Sequence, residues 1–593
     1  MQFPSQRRPL IFAAIFVIIF LLHAPLLGLP YFWDEAGYYV PAARDILLTG
    51  SLIPRATVSN AHPPLVMAWV ALCWKVVGYA PVVTRSAMLV VAAFSLFGLF
   101  RLAERIANTE VAIAATLYTA LYPVFFAQSS LAQVDLAAAG LTFWGLCAYF
   151  EERPIAVAIW FSLAALAKET AIIAAISLAS WEVARLTLPH FNLALSRPLR
   201  SALLGPDNLR GRAALGGRDN APQTEGALAS AGRFGGPRML YLLLPLLPLT
   251  LWYIYHYIRT GYVFGNPEFF RYNVAATLNP LRFLLALLLR LWQTFGYMHL
   301  WLLTVAMLLA LLLSPVTNEK AVATAALGCP HEGSSPAIQR QRIAIPTQAV
   351  FFVVISVYVI VMALIGGAVL ARYMLPAVPL VIILAVSTLR RRLRYWPAAI
   401  AVIALAFVVG WYWNPPYGFS PEDNLAYRDY VVLHQDAERF VEARYPMAYV
   451  LTAWPASDEL TRPWLGYVTR PVQVVRIEDF SLEQIISAAD FRDHYEVALV
   501  FSTKYEPQHS LLERWMMSGN RTGWRAGVFA RWQAWKSQFF GYHRDLPAKA
   551  AAQILGGTIV FSEERRGQWV AVIEMARLEE AFMPGSIPDS PNH

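Results

Sequence analysis

Five charged sites interrupt an otherwise apolar chain: Asp34-Glu35, His62 in the run His62-Pro63-Pro64-Leu65, Asp135, Lys168-Glu169 and Arg372-Tyr373. Ionisable groups at a membrane face are costly to keep, which makes each a candidate functional group. Lys168 could neutralise a phosphate while Glu169 orients it, and Arg372 offers a second cation beside a hydrogen-bonding aromatic. The two prolines after His62 make a stiff turn that could hold an imidazole in one place. Each site also has a plainer explanation. Acids are common in first helical turns, prolines open helices, Asp135 could cap a span, Lys168-Glu169 could be an ion-paired turn, and Arg372-Tyr373 could anchor at the interface. An enzyme site is favoured because one topology brings all five to the same side of the membrane. His256, Arg259, Arg271, Tyr272 and His299 are weaker candidates, since core or interfacial histidines are the commoner case.

The elements that would carry these groups are hydrophobic spans. The chain has 593 residues, 57% hydrophobic and 15% charged, with a mean hydropathy of +0.45, a composition that excludes an ordinary soluble enzyme. Its net charge of +9 gathers in short loops, as expected when Lys and Arg stay in the cytoplasm, and gives no support to nucleic-acid binding. Cys73, Cys147 and Cys329 are too far apart for a disulfide framework or zinc spacing.

A bilayer core takes about 20 apolar residues per helix. Candidate spans lie near 10–29, 82–104, 111–128, 136–150, 154–167, 170–187, 239–258, 295–314, 347–366, 374–389 and 396–413, about eleven crossings. Residues 1–29 are laid out like a signal sequence but lack a clear cleavage site, and are read as an uncleaved first span. Residues 64–79, with Lys75, Trp69 and Trp74, are read as an interfacial helix. That choice keeps Arg101, Arg105, Arg153 and Arg390-Arg391-Arg392 inside. It makes 29–81 the first external loop, 186–238 a disordered cytoplasmic loop rich in Arg, Gly, Ala and Pro, and 316–346 a second cytoplasmic loop.

After Asn414-Pro415-Pro416 the composition changes. Strand-like runs at 447–453, 472–476, 496–502 and 557–561 alternate with helical patterns at 428–443 and 481–490, so 414–593 is expected to form a small α/β domain outside the cytoplasm. It shows neither a phosphate-binding glycine loop nor a nucleophile motif. The predicted fold is thus a polytopic α-helical membrane protein with a C-terminal soluble α/β domain.

Over residues 10–413 the order and spacing of Asp34-Glu35, His62-Pro63-Pro64-Leu65, Asp135, Ala167-Lys168-Glu169 and Arg372-Tyr373-Met374-Leu375-Pro376 resemble the GT-C glycosyltransferases. Family 39 is the most similar, the group that includes protein O-mannosyltransferases and the lipid A aminoarabinose transferases. The resemblance implies a sugar donor on a polyprenyl phosphate, such as undecaprenyl phosphate, and a lipid, glycan or protein acceptor reached from the non-cytoplasmic face of the inner membrane. It implies inverting displacement with Asp34 as general base and Glu35 beside it. The donor phosphate would meet Lys168, Arg372, His62 and Tyr373, supported by Asp135, Glu169 and His256. His62 stands where aminoarabinose enzymes carry lysine, and Ala61 replaces the acid before that lysine. A metal site of that type is therefore not carried over, no cofactor is assigned, and a divalent metal stays open. The competing class is a multi-span transporter, which also uses intramembrane charges and broken helices, although the charges here cluster at one face and no internal repeat is evident.

Overall fold

The computed structural model describes residues 7–187, 235–267, 270–271, 277–316, 343–365, 367–505, 524–540 and 545–576. Most of the 186–238 and 316–346 loops, together with Tyr272, Cys329 and Gly366, lie outside the described residues. The chain forms two units, one of Met1–Pro25 and Ala42–Trp411, the other of Leu26–Pro41 and Tyr412–His593.

The first unit is helical. Arg8–Leu26, Pro81–Ile106, Glu169–Thr187, Met239–Thr260 and Ile345–Leu364 are each long and apolar enough to cross a bilayer, and the bent pair Pro280–Phe295 and Leu300–Leu311 together has the composition of a sixth span. Leu65–Val77, Thr109–Leu121, Asp135–Phe150, Pro154–Ala167 and Trp396–Tyr412 are shorter apolar helices. The chain is a multi-pass membrane protein.

Several expected spans take a different form. The 111–128 segment is two helices, Thr109–Leu121 and Pro123–Gln128, because Pro123 has no N–H with which to continue the ladder. The expected 295–314 span is displaced: the apolar helix begins at Pro280 and breaks at 296–299 with a bend of 76°, where Met298 and His299 take φ of 47° and 67°. The 374–389 segment starts within a 3-10 turn, Ala371–Met374, and becomes α-helical only at Val378–Arg392. Helices Pro81–Ile106 and Asp135–Phe150 pack at close range, since a Cβ on Gly140 would come within 2.8 Å of the Ser95 Cα. Small residues allow such approach between apolar helices.

In the second unit, β1 (Tyr449–Ala453), β2 (Gln473–Ile477), β3 (Val497–Phe501), β4 (Gly557–Arg565) and β5 (Gln568–Met575) form one sheet in the order β2-β1-β3-β5-β4. β1 is parallel to β2 and β3, while β5 is antiparallel to β3 and β4. Helices Ala456–Thr461 and Leu482–Ala489 lie in the two crossovers, and Ala426–Arg444 packs on β4 and β5. Four strands were expected from the sequence, and the fifth, β5, is nearly fully buried within the sheet. It pairs with β4 through the two-residue turn Arg566-Gly567, both at positive φ (48° and 82°), the geometry whose twist suits a tight hairpin.

Candidate active site

Three chain breaks and one helix in the first unit bring charged residues together. Asp135 opens helix Asp135–Phe150. Lys168 follows helix Pro154–Ala167 in an extended conformation (φ −154°, ψ 132°), which ends that helix and starts the 3-10 turn Glu169–Ala171. Arg372 and Tyr373 occupy the turn Ala371–Met374, and Arg290 lies on the helix Pro280–Phe295.

Asp135 is the hub. Its Oδ1 accepts from Lys168 Nζ at 2.5 Å and its Oδ2 lies 3.3 Å from Arg372 Nε, with all three side chains buried. Arg372 also donates to Gln133 Oε1 at 2.7 Å. The Tyr373 ring sits among the cations, with Lys168 Nζ 3.8 Å from its centroid and the guanidinium carbons of Arg290 and Arg372 at 5.4 and 5.6 Å. Such packing stabilises a desolvated cation. Lys168, Arg372 and Arg290 thus surround one ring with Asp135 as the carboxylate bridging two of them.

His62 and Glu169 form a neighbouring pair, Nδ1 to Oε2 at 3.0 Å, and Glu169 follows Lys168 directly in the chain. The turn carrying His62 is held from helix Leu246–Thr260. Trp252 donates to the Ala61 carbonyl at 2.8 Å, and Ala61 has a positive φ of 58°. His256 Nδ1 lies 2.7 Å from the Tyr262 carbonyl, so it carries the proton there, leaving Nε2 to accept from Ser59 Oγ at 2.8 Å. His256 is fully buried and braces the His62 turn. His299 stands apart at the helix break, against Gly410, and Arg259 closes helix Leu246–Thr260.

Asp34 and Glu35 belong to the second unit. Glu35 is fully buried and its Oε2 accepts from the Phe32 N–H at 2.9 Å, tightening the turn that presents half-buried Asp34. Phe32 packs edge-on against Tyr430, and Trp33 packs against both Tyr430 and Trp454. Tyr467 donates to the Tyr31 carbonyl at 3.0 Å. Gly37 is required here, because a Cβ would fall 2.6 Å from the Trp454 ring.

Gln133, Arg290, Arg282 and Gln293 were not among the sequence candidates. Arg290 donates to the Met362 and Leu370 carbonyls at 3.1 and 2.7 Å, Gln293 to Val369 at 2.8 Å and Arg282 to Gly367 at 3.2 Å. They clamp the segment leading to Arg372. The readable signal was polar residues at intervals of 8 and 11 in a leucine-rich run, one face of a helix.

No protein-family model and no curated protein matches this chain. Among solved structures it is similar to membrane glycosyltransferases of the GT-C class. One is ArnT from Cupriavidus metallidurans bound to undecaprenyl phosphate, at 11% identity and TM-score 0.46, covering 96% of this chain and 98% of that one. A second is the archaeal oligosaccharyltransferase AglB from Archaeoglobus fulgidus in complex with an inhibitory peptide and a dolichol-phosphate, at 13% identity and TM-score 0.40, covering 96% and 74%. A third is the arabinofuranosyltransferase AftD from Mycobacteria, at 14% identity and TM-score 0.39, covering 86% and 36%.

Proposed function

We propose that this chain is a GT-C glycosyltransferase of the family 39 type. In this reading it moves a sugar from a polyprenyl-phosphate donor to a lipid, glycan or protein acceptor on the non-cytoplasmic face of the inner membrane. The observation that carries the proposal is the buried group of Lys168, Arg372 and Arg290 around Tyr373, with Asp135 as its bridging carboxylate. An excess of buried positive charge suits an anion with more than one negative charge, such as a departing phosphate.

In the proposed reaction Asp34 takes the proton of the acceptor hydroxyl as its oxygen attacks the anomeric carbon from the face opposite the phosphate. The bond from that carbon to the phosphate oxygen breaks, inverting the centre, and both bonding electrons stay on the lipid phosphate. Lys168 and Arg372 stabilise that charge, with His62 and Tyr373 as further donors. Asp135 holds the two cations in register, Glu169 holds His62, and His256 braces the turn behind it. Glu35 fixes the turn that carries Asp34.

The test is transfer of radiolabelled sugar from polyprenyl-phosphate donors in proteoliposomes supplied with membrane extract. Asp34→Asn keeps the shape and removes the base, so turnover should fall about 10²- to 10⁴-fold with folding and insertion intact. Full turnover in that variant removes Asp34 from the mechanism. Failure of the folded native protein to transfer from any donor favours a transporter, for which the bent pair at 296–299 would be the broken helix.

A further inference from the structure

Helix Ala426–Arg444 and the short helix Ala456–Thr461 enclose a second polar cluster, within the second unit and separate from the cation group. His434 and Glu438 lie one turn apart on the first helix and Glu459 projects from the other. His434 Nδ1 is 2.7 Å from Glu459 Oε2 and 3.7 Å from Glu438 Oε1. All three side chains are at most 2% exposed. Among the described residues, both oxygens of Glu438, Oε1 of Glu459 and Nε2 of His434 have no hydrogen-bond partner. Among the described residues, His434 is the basic side chain within reach of both carboxylates.

We infer that His434, Glu438 and Glu459 bind one divalent metal ion of the zinc type. Two carboxylates and a neutral imidazole carry a charge of −2, which one such ion balances. Ligands about 2.0–2.1 Å from a tetrahedral zinc lie roughly 3.3 Å from one another, and the separations of 2.7 and 3.7 Å bracket that value. Imidazole nitrogen and carboxylate oxygen are both donors that zinc takes, and three protein ligands leave a fourth position open. Buried charge without a partner is strongly unfavourable, so an ion there explains a cluster that hydrogen bonds leave incomplete. The rival is a proton shared between the two glutamates, since burial, and then the Glu459 charge, raise the Glu438 pKa well above the ordinary carboxylate range.

The site is also tied to the Asp34 turn. His434 stacks on Tyr430 with ring centroids 4.0 Å apart, and Tyr430 packs against Phe32 and Trp33. The metal would thus fix the helix on which that turn rests. The proposal stands whether or not the chain is a transferase.

The experiment uses the full chain purified in detergent. Metal content is measured by plasma mass spectrometry, and thermal unfolding is followed after chelation and after addition of Zn²⁺ or Mn²⁺. The expected result is about one metal per chain and a midpoint raised by about 5 °C at saturating ion. Both should be lost in His434→Ala and in Glu438→Gln. The glutamine is the informative variant, because its amide N–H can donate to Glu459 and the protein should fold. Absence of bound metal in the native chain, with no midpoint response to either ion, overturns the proposal in favour of the shared proton. An undiminished response in folded Glu438→Gln overturns this assignment of ligands.

Discussion

Lys168→Ala tests the cation cluster most directly, because Lys168 touches both its carboxylate and its aromatic ring. Nζ lies 2.5 Å from Asp135 Oδ1 and 3.8 Å from the Tyr373 centroid. Truncating one partner of a buried ion pair costs about 3–5 kcal/mol when the remaining charge is stranded. Asp135 is not stranded here, since Arg372 Nε remains 3.3 Å away, so a smaller loss of about 2 kcal/mol is expected. The catalytic effect is larger if the lysine meets the leaving phosphate. Removing one preorganised donor from developing charge lowers turnover about 10²- to 10³-fold, or roughly 3–4 kcal/mol. Donor kinetics in proteoliposomes and thermal midpoints in detergent should be compared for Lys168→Ala, Lys168→Met and Lys168→Arg. Methionine preserves most of the apolar stem, so a turnover defect shared by Ala and Met, partly relieved by Arg, assigns the effect to charge. Native turnover in a folded Lys168→Met protein would refute a phosphate contact and leave the lysine a structural counter-ion of Asp135.

Other perturbations probe the scaffold. Gly140→Val should destabilise the first unit by at least about 1–3 kcal/mol by forcing apart helices Pro81–Ile106 and Asp135–Phe150, and a midpoint within 1 °C or so of native, on the scale set by about 0.3 kcal/mol, would show that this contact yields easily. Glu442 accepts hydrogen bonds from the Thr469 N–H and hydroxyl and the Arg470 N–H at 2.5–3.1 Å. Slight burial raises its pKa, but those bonds bring it below the usual value. Its contribution is therefore complete above the unfolded pKa, about 4.3, and is lost as pH falls through the lower folded value. Glu442→Gln should flatten the acid limb of the unfolding curve, and an unchanged slope between pH 5 and 3 would remove Glu442 as a contributor.

Much of the membrane unit was legible because the bilayer imposes a simple rule: apolar runs become helices, and charges that interrupt them need a reason. Asp135, Lys168, Arg372 and Tyr373 stand out on that ground, and the structure joins them within one buried cluster. The strands at 449–453, 473–477 and 497–501 were readable from their β-rich runs, and the helix Ala426–Arg444 from its periodicity. The role of Arg290 was not, because the spacing of Arg282, Arg290 and Gln293 marks a polar helix face without declaring which carbonyls Arg290 will meet 72 and 80 residues away.

The sequence by itself determined that this is a membrane-embedded helical chain with a folded polar domain at its end, since hydrophobicity and local periodicity depend only on neighbouring residues. Tertiary structure alone decided that Asp135 bridges Lys168 and Arg372, and that the Asp34 turn packs on aromatics some 400 residues later. It also decided that His434, Glu438 and Glu459 meet. Those pairings depend on how separate elements pack, and a buried charge chooses its partner from whatever the fold brings within about 4 Å.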